Sequence, residues 1–399
     1  MDKLSLELAN RAKLSPTIGY YAAFFMFGVV SAVLGPALPT LAENSGVSPG
    51  ETGVFFTTRG IGFLLGSLAG GRMYDRLRGH PAMAVALLVT ALATVLTPLA
   101  TQFWQLNLLM FVIGFSTSHL MVGCNTLLIW VQAERVGPWL NGMHFVNGIG
   151  SFVAPLVFTA LLLRTGRIHP TFYLVAALAL IIAAGILFVA SPAVPVDERA
   201  AAGDKPAVDW PLLLLLALMF LLYVGVEVGF GGWIYTYIIE AAGASEAAAG
   251  RINASFYGLF TVGRMLAIPL AVRFANRQLL LVNYAGSLVS LTILLLWPDS
   301  LTALTFGTAG LGLFLASTFP VLMAFVGKHL RLTGQINGAL FAVTAVGAML
   351  VPWLMGLMFD TRGGSAMMWV VLGAVALGLL TFFFVLGRVR WVSLQASVN

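Results

Sequence analysis

The chain is a succession of apolar blocks, each about as long as the roughly 20 residues a helix needs to cross a lipid bilayer. Blocks fall at about 16–42, 52–73, 81–100, 103–131, 139–163, 170–190, 210–239, 251–274, 279–297, 301–327, 334–359 and 365–387. Backbone polar groups in lipid must be paired within the protein, so such blocks read as helices. The short alternating segments of a membrane β-barrel are absent. Composition agrees: 59% of residues are hydrophobic and 9% are charged, against about 25% charged in a soluble domain. The expectation is an all-α integral membrane protein with twelve transmembrane helices and the bilayer as its main partner.

Most connections are short, so neighbouring helices run antiparallel. One longer, charged, alanine-rich connection at 191–209 divides the chain into six-helix halves, 1–190 and 210–399. Lysine and arginine placement orients them. With both termini inside, the inner segments hold fifteen Lys and Arg and the outer ones four, Arg164, Arg167, Arg251 and Arg362. The reading is therefore a multi-pass protein of a bacterial-type inner membrane with cytoplasmic termini, expected to work as a monomer. The first apolar block is too long for a signal-peptide core and is read as a retained span. The single cysteine, Cys124, excludes an internal disulfide or cysteine-based metal site. No cofactor is expected, and no basic stripe with interleaved aromatics suggests nucleic acid.

The halves are pseudo-repeats. At an offset of 201, Phe55, Phe56, Gly62, Arg72 and Arg76 of span 2 fall on Phe256, Tyr257, Gly263, Arg273 and Arg277 of span 8. In span 5, Asn141, Gly142, Phe145, Gly150 and Pro155 parallel Asn337, Gly338, Phe341, Gly347 and Pro352 of span 11. The connection after span 2 reads GGRMYDRLRG, residues 70–79. Its Gly71, Asp75 and Arg76 resemble the signature loop of the major facilitator superfamily. There Gly71 permits close helix approach and Asp75 accepts from a helix end or an arginine, a latch that closes the cytoplasmic side. Within that superfamily, the stretches 59–75, 141–156, 223–237, 260–270 and 317–325 resemble the branch of sodium-dependent glucose transporter-like proteins related to fucose permeases. The resemblance implies a major facilitator fold and alternating-access transport of a sugar such as a hexose, coupled to a proton or sodium or uncoupled.

Glu227 is the one carboxylate inside any span, where a buried charge is costly and marks function by default. Gly225, Gly229, Gly231 and Gly232 surround it, a clustering that suggests a bend or an unwound stretch. Glu227 is a candidate sugar-hydroxyl acceptor and proton or cation site; the alternative is a fixed ion pair with Arg264. Arg264 shares a helical stripe with Tyr257 and Thr261. Arg264 and Arg59 are each a substrate contact or a structural partner, and Arg59 can also snorkel outward. Asn141, His144, Asn147 and Ser151 form one polar face on span 5, and His119 and Asn125 lie on span 4. These serve either a solute cavity or interhelical hydrogen bonds. Trp233, Tyr235, Tyr237 and Tyr257 are candidates for stacking on a sugar ring.

Cation-coupled relatives carry an acid one turn before the asparagine of span 4, where this chain has Met121, which weighs against sodium coupling. Arg59 and Arg264 exceed Glu227 by one positive charge, which favours an anionic metabolite or sugar acid as the alternative cargo. No Walker loop or nucleophile motif is present, so the chain is not read as an enzyme. A non-transporting membrane sensor on the same fold is the third reading.

Overall fold

The computed structural model describes residues 3–132, 136–192, 209–330 and 334–396. Most of the 191–209 connection thus lies outside the described residues. Thirteen α-helices occupy the described residues: α1 (Lys3–Ser45), α2 (Gly53–Arg76), α3 (Gly79–Leu96), α4 (Phe103–Gln132), α5 (Val136–Thr165), α6 (His169–Leu187), α7 (Trp210–Glu240), α8 (Glu246–Arg273), α9 (Asn276–Leu296), α10 (Leu301–Leu315), α11 (Thr318–His329), α12 (Gly334–Arg362) and α13 (Gly364–Ala396). They make 12 spans of sufficient length and apolarity, because α10 and α11 share one, Leu301–His329. The apolar blocks therefore mark every span, with ends displaced by a few residues. The tenth span breaks at Ala316 and Ser317, which its unbroken apolar run does not announce.

The chain divides into two compact units, one of Met1–Val47 with Thr58–Ala200, the other of Ser48–Thr57 with Ala201–Asn399. In the first unit, α1 packs on α5 and α3 lies against α6 and α4. In the second, α7 packs on α12, α8 on α10 and α13 on α9.

Helix packing in lipid gains little from the hydrophobic effect, so close approach through small residues takes over. Both units use the same device at equivalent crossings. A Cβ at Gly150 of α5 would lie 2.3 Å from the Phe25 carbonyl oxygen of α1, and one at Gly347 of α12 would lie 2.0 Å from that of Leu221 in α7. A second crossing repeats as well: Gly114 of α4 meets the Arg59 backbone of α2, and Gly312 of α10 meets the Phe256 backbone of α8. The sequence repeat is thus a repeat of helix contacts.

One expectation about α7 is corrected. It runs as continuous helix through Gly225 to Gly232, with no unwound stretch. Its glycines admit neighbours instead: Gly225 faces Val351 and the Gly347 carbonyl, Gly231 the Tyr257 hydroxyl and Gly232 the Phe56 ring. Glycine in lipid-embedded helices serves close packing as readily as bending, and here packing wins.

The second unit also holds Ser48–Thr57, the lead-in and first turn of α2. Asp360, near the end of α12, accepts from the Ser48 hydroxyl and from the Gly50 amide, the latter at 2.9 Å. Gly50 is required there, since a Cβ would fall 2.3 Å from Asp360 Cγ. At the opposite end of the same unit, Asp209 caps α7 by accepting from Leu212 N and pairs with Arg388 at 3.1 Å.

Candidate functional site

In the second unit Glu227 and Arg264 meet. Arg264 Nη2 of α8 lies 3.7 Å from Glu227 Oε1 of α7, with side chains 30% and 27% exposed. At that separation the two attract without a hydrogen bond, which needs about 3.2 Å or less. The Arg264 guanidinium stacks over Phe260, 4.5 Å from the ring centroid, and its buried Nε finds no partner among the described residues. Both side chains keep part of their surface, so Glu227 offers acceptor oxygens and Arg264 donors to a polar guest. Tyr223, one turn before Glu227, lies beside both charges. Tyr257 is half-buried, its hydroxyl close to Gly231, one turn beyond Glu227. Asn253 Nδ2 donates to the Gly231 carbonyl at 2.9 Å, tying α8 to α7 at this level.

The proposed stacking aromatics separate into two groups. Trp233, Tyr235 and Tyr237 are 0%, 1% and 1% exposed. Trp233 Nε1 donates to the Pro352 carbonyl at 3.0 Å, and the ring packs against Phe56 and Phe359. Tyr257 alone of the four presents surface near Glu227.

In the first unit, Asn147 Nδ2 of α5 donates to the Phe24 carbonyl of α1 at 3.1 Å, and Ser151 Oγ to that of Gly28 at 3.2 Å. Two members of the span 5 polar face thus pin α5 to α1. His144 meets the Phe24 ring edge-on at 5.0 Å and keeps part of its surface. Asn125 and His119 bond back to their own helix, at Met121 and Phe115. His119 is 6% exposed, whereas Asn125 is half-buried. Arg59 reaches the Ser31 hydroxyl of α1 at 3.3 Å.

In the signature loop, Arg76 is exposed at the end of α2. No described atom lies within 4 Å of a Cβ built at Gly71, so the close approach expected of it is not made here. The side chain of Asp75 lies outside the described residues. Sequence reasoning missed Tyr223, although its place four residues before Glu227 on an apolar helix was the available signal. It also missed Asp360, which sits at a span end where carboxylates are ordinary.

The family model of the Major Facilitator Superfamily matches residues 20–352. The chain belongs to the major facilitator superfamily. Among curated proteins it is similar to sodium-dependent glucose transporter 1A of Mus musculus, 27% identical over 375 residues that cover 85% of this chain and 88% of that protein. It is similar too to sodium-dependent glucose transporter 1 of Xenopus laevis, at 28% identity, covering 82% of this chain and 72% of the relative. Among solved structures, a point mutant of the nucleoside transporter NupG superposes with a TM-score of 0.76 at 15% identity, over 94% of this chain and 99% of that one. A D-xylose-proton symporter superposes with a TM-score of 0.76 at 14% identity, over 92% and 97%. The protein is thus a major facilitator transporter with the superfamily's fold.

Proposed function

We propose that this transporter carries a small neutral sugar, such as a hexose, by alternating access, with Glu227 and Arg264 at its solute site. The observation that carries the reading is the part-exposed pair itself. A carboxylate and a guanidinium 3.7 Å apart, both part-exposed, offer acceptors and donors side by side. Vicinal hydroxyls present the complementary array, each able to donate and accept. Tyr257 supplies a ring face nearby; within the first unit, Asn125, His144, Asn147, His119 and Arg59 are candidate solute contacts. The similarity to sodium-dependent glucose transporters supports a sugar as cargo. Glu227 is the candidate proton or cation site, because it is the carboxylate within the spans. Arginine-rich connections on one side support cytoplasmic termini in an inner membrane, with Gly71, Asp75 and Arg76 as the cytoplasmic gate.

The unpartnered Arg264 Nε favours a second reading, an anionic sugar acid, which would engage the guanidinium in preference to the carboxylate. Uptake of labelled D-glucose and D-glucuronate into proteoliposomes tests both. Glu227→Gln is expected to abolish D-glucose uptake, and wild-type uptake by that variant removes Glu227 from the site. Uptake of the acid alone selects the second reading, and binding without flux selects a sensor.

A further inference from the structure

Between α7, α9, α10, α11 and α13 the second unit holds a small, partly open cavity with room for about one water molecule. Apolar side chains make most of its wall, to which Tyr223 of α7, Asn283, Tyr284 and Ser287 of α9 and Thr318 at the break of the tenth span also contribute. Asn283 is fully engaged at that break. Its Nδ2 donates to Ser317 Oγ at 2.8 Å and Thr318 Oγ1 at 3.1 Å, while its Oδ1 accepts from Ser317 Oγ at 3.1 Å.

Three other hydroxyls make no hydrogen bond of good geometry, although that of Tyr223 also interacts with the Glu227 and Arg264 charges. Tyr223 Oη, Tyr284 Oη and Ser287 Oγ are buried without a hydrogen-bond partner among the described residues. Their residues are 4%, 7% and 1% exposed. Buried polar groups in native structures are nearly always satisfied by protein or by ordered water. Here three orphans from two helices line one water-sized space, and a buried water typically makes about three hydrogen bonds.

We propose that this cavity is a binding site for one ordered water, held by the hydroxyls of Tyr223, Tyr284 and Ser287. The lining carries no carboxylate, and neutral hydroxyls do not offset the desolvation of a cation. The water ties α7 to α9 through side chains that otherwise share no bond. It also anchors the Tyr223 hydroxyl that lies against Glu227 and Arg264. The site does not depend on which solute is carried.

The sign of a stability change tests this. In a dry cavity, Tyr284→Phe or Ser287→Ala removes an unsatisfied buried group, and the melting temperature of the full chain rises. With water present, each removes one of its hydrogen bonds, and the melting temperature falls by a few degrees. A fall in both variants is expected, and a rise in either overturns the proposal. A structure of the full chain resolving solvent should show a single peak about 2.6–3.2 Å from the three hydroxyls. No peak there overturns it as well. If sodium chloride stabilises the wild type more than choline chloride at equal ionic strength, and Ser287→Ala loses the difference, the occupant is sodium and the water assignment falls.

Discussion

Gly347→Ala adds one methyl group where α12 crosses α7. The new Cβ would lie 2.0 Å from the Leu221 carbonyl oxygen, 2.8 Å from its carbon and 3.0 Å from its Cα. That falls short of ordinary van der Waals contact by about 1.4 Å, and every obstructing atom is backbone of a continuous helix. No rotamer change relieves the clash, so the helices must separate. Overpacking a well-packed core costs about 1–3 kcal/mol, and a backbone obstacle places this substitution at the upper end. For a unit of this size, about 3 kcal/mol lowers the melting temperature by roughly 6–12 °C. Gly373→Ala in α13 is the control: a Cβ there meets nothing within 4 Å and the position is exposed. Replacing glycine in a helix interior should stabilise by about 0.5–1 kcal/mol. The assay is thermal unfolding of the detergent-purified protein at one fixed scan rate, because large proteins commonly unfold irreversibly. Gly150→Ala, at the equivalent crossing of the first unit, should fall with Gly347→Ala. Gly347→Ala melting at or above the wild type would refute the close-contact account of the repeat. Leu221 lies six residues before Glu227 on α7, so the same substitution should weaken solute binding.

Further outcomes follow from individual contacts. Asp360→Ala removes the acceptor of the Gly50 amide, and a hydrogen bond to a charged group is worth about 1.5 kcal/mol or more. Exchange of the Gly50 amide should therefore quicken about tenfold, as measured by hydrogen–deuterium exchange with mass spectrometry. Trp233→Phe keeps most of the packing but leaves the Pro352 carbonyl without its indole donor. It should cost about 1–2 kcal/mol of stability, read as a lower melting temperature, without changing solute preference. Arg264→Ala leaves Glu227 without its neighbouring cation in a membrane interior, and both stability and solute binding should fall. A variant that retained wild-type binding would show Arg264 to be a bystander.

Span number and span limits were legible in the sequence because a bilayer imposes one length on every helix. The duplication was legible because Gly62 and Gly263, or Gly150 and Gly347, answer to the same steric demand at equivalent crossings. The proximity of Glu227 and Arg264 was legible as the alternative to a functional carboxylate, since charges inside spans seek partners. Side-chain use was harder to read. Asn147 and Ser151 look the same in sequence whether they face a cavity or bond to α1, and the Phe24 and Gly28 carbonyls that receive them leave no mark in the pattern. Trp233 has the residue type of a stacking platform, but its burial against Phe56 and Phe359 is a tertiary fact. The break of the tenth span is supported by Asn283 from another helix, a tertiary cause that local apolarity hides.

Ligand-induced thermal stabilisation with and without the Glu227 carboxylate tests the central claim most directly. A ligand at 100 times its dissociation constant adds about 2.7 kcal/mol to stability. The account predicts that D-glucose or a related neutral hexose raises the melting temperature of the wild type, and that Glu227→Gln loses the shift while its unliganded form remains folded. A hexose shift that persists in Glu227→Gln, or stabilisation by anions alone, would contradict it.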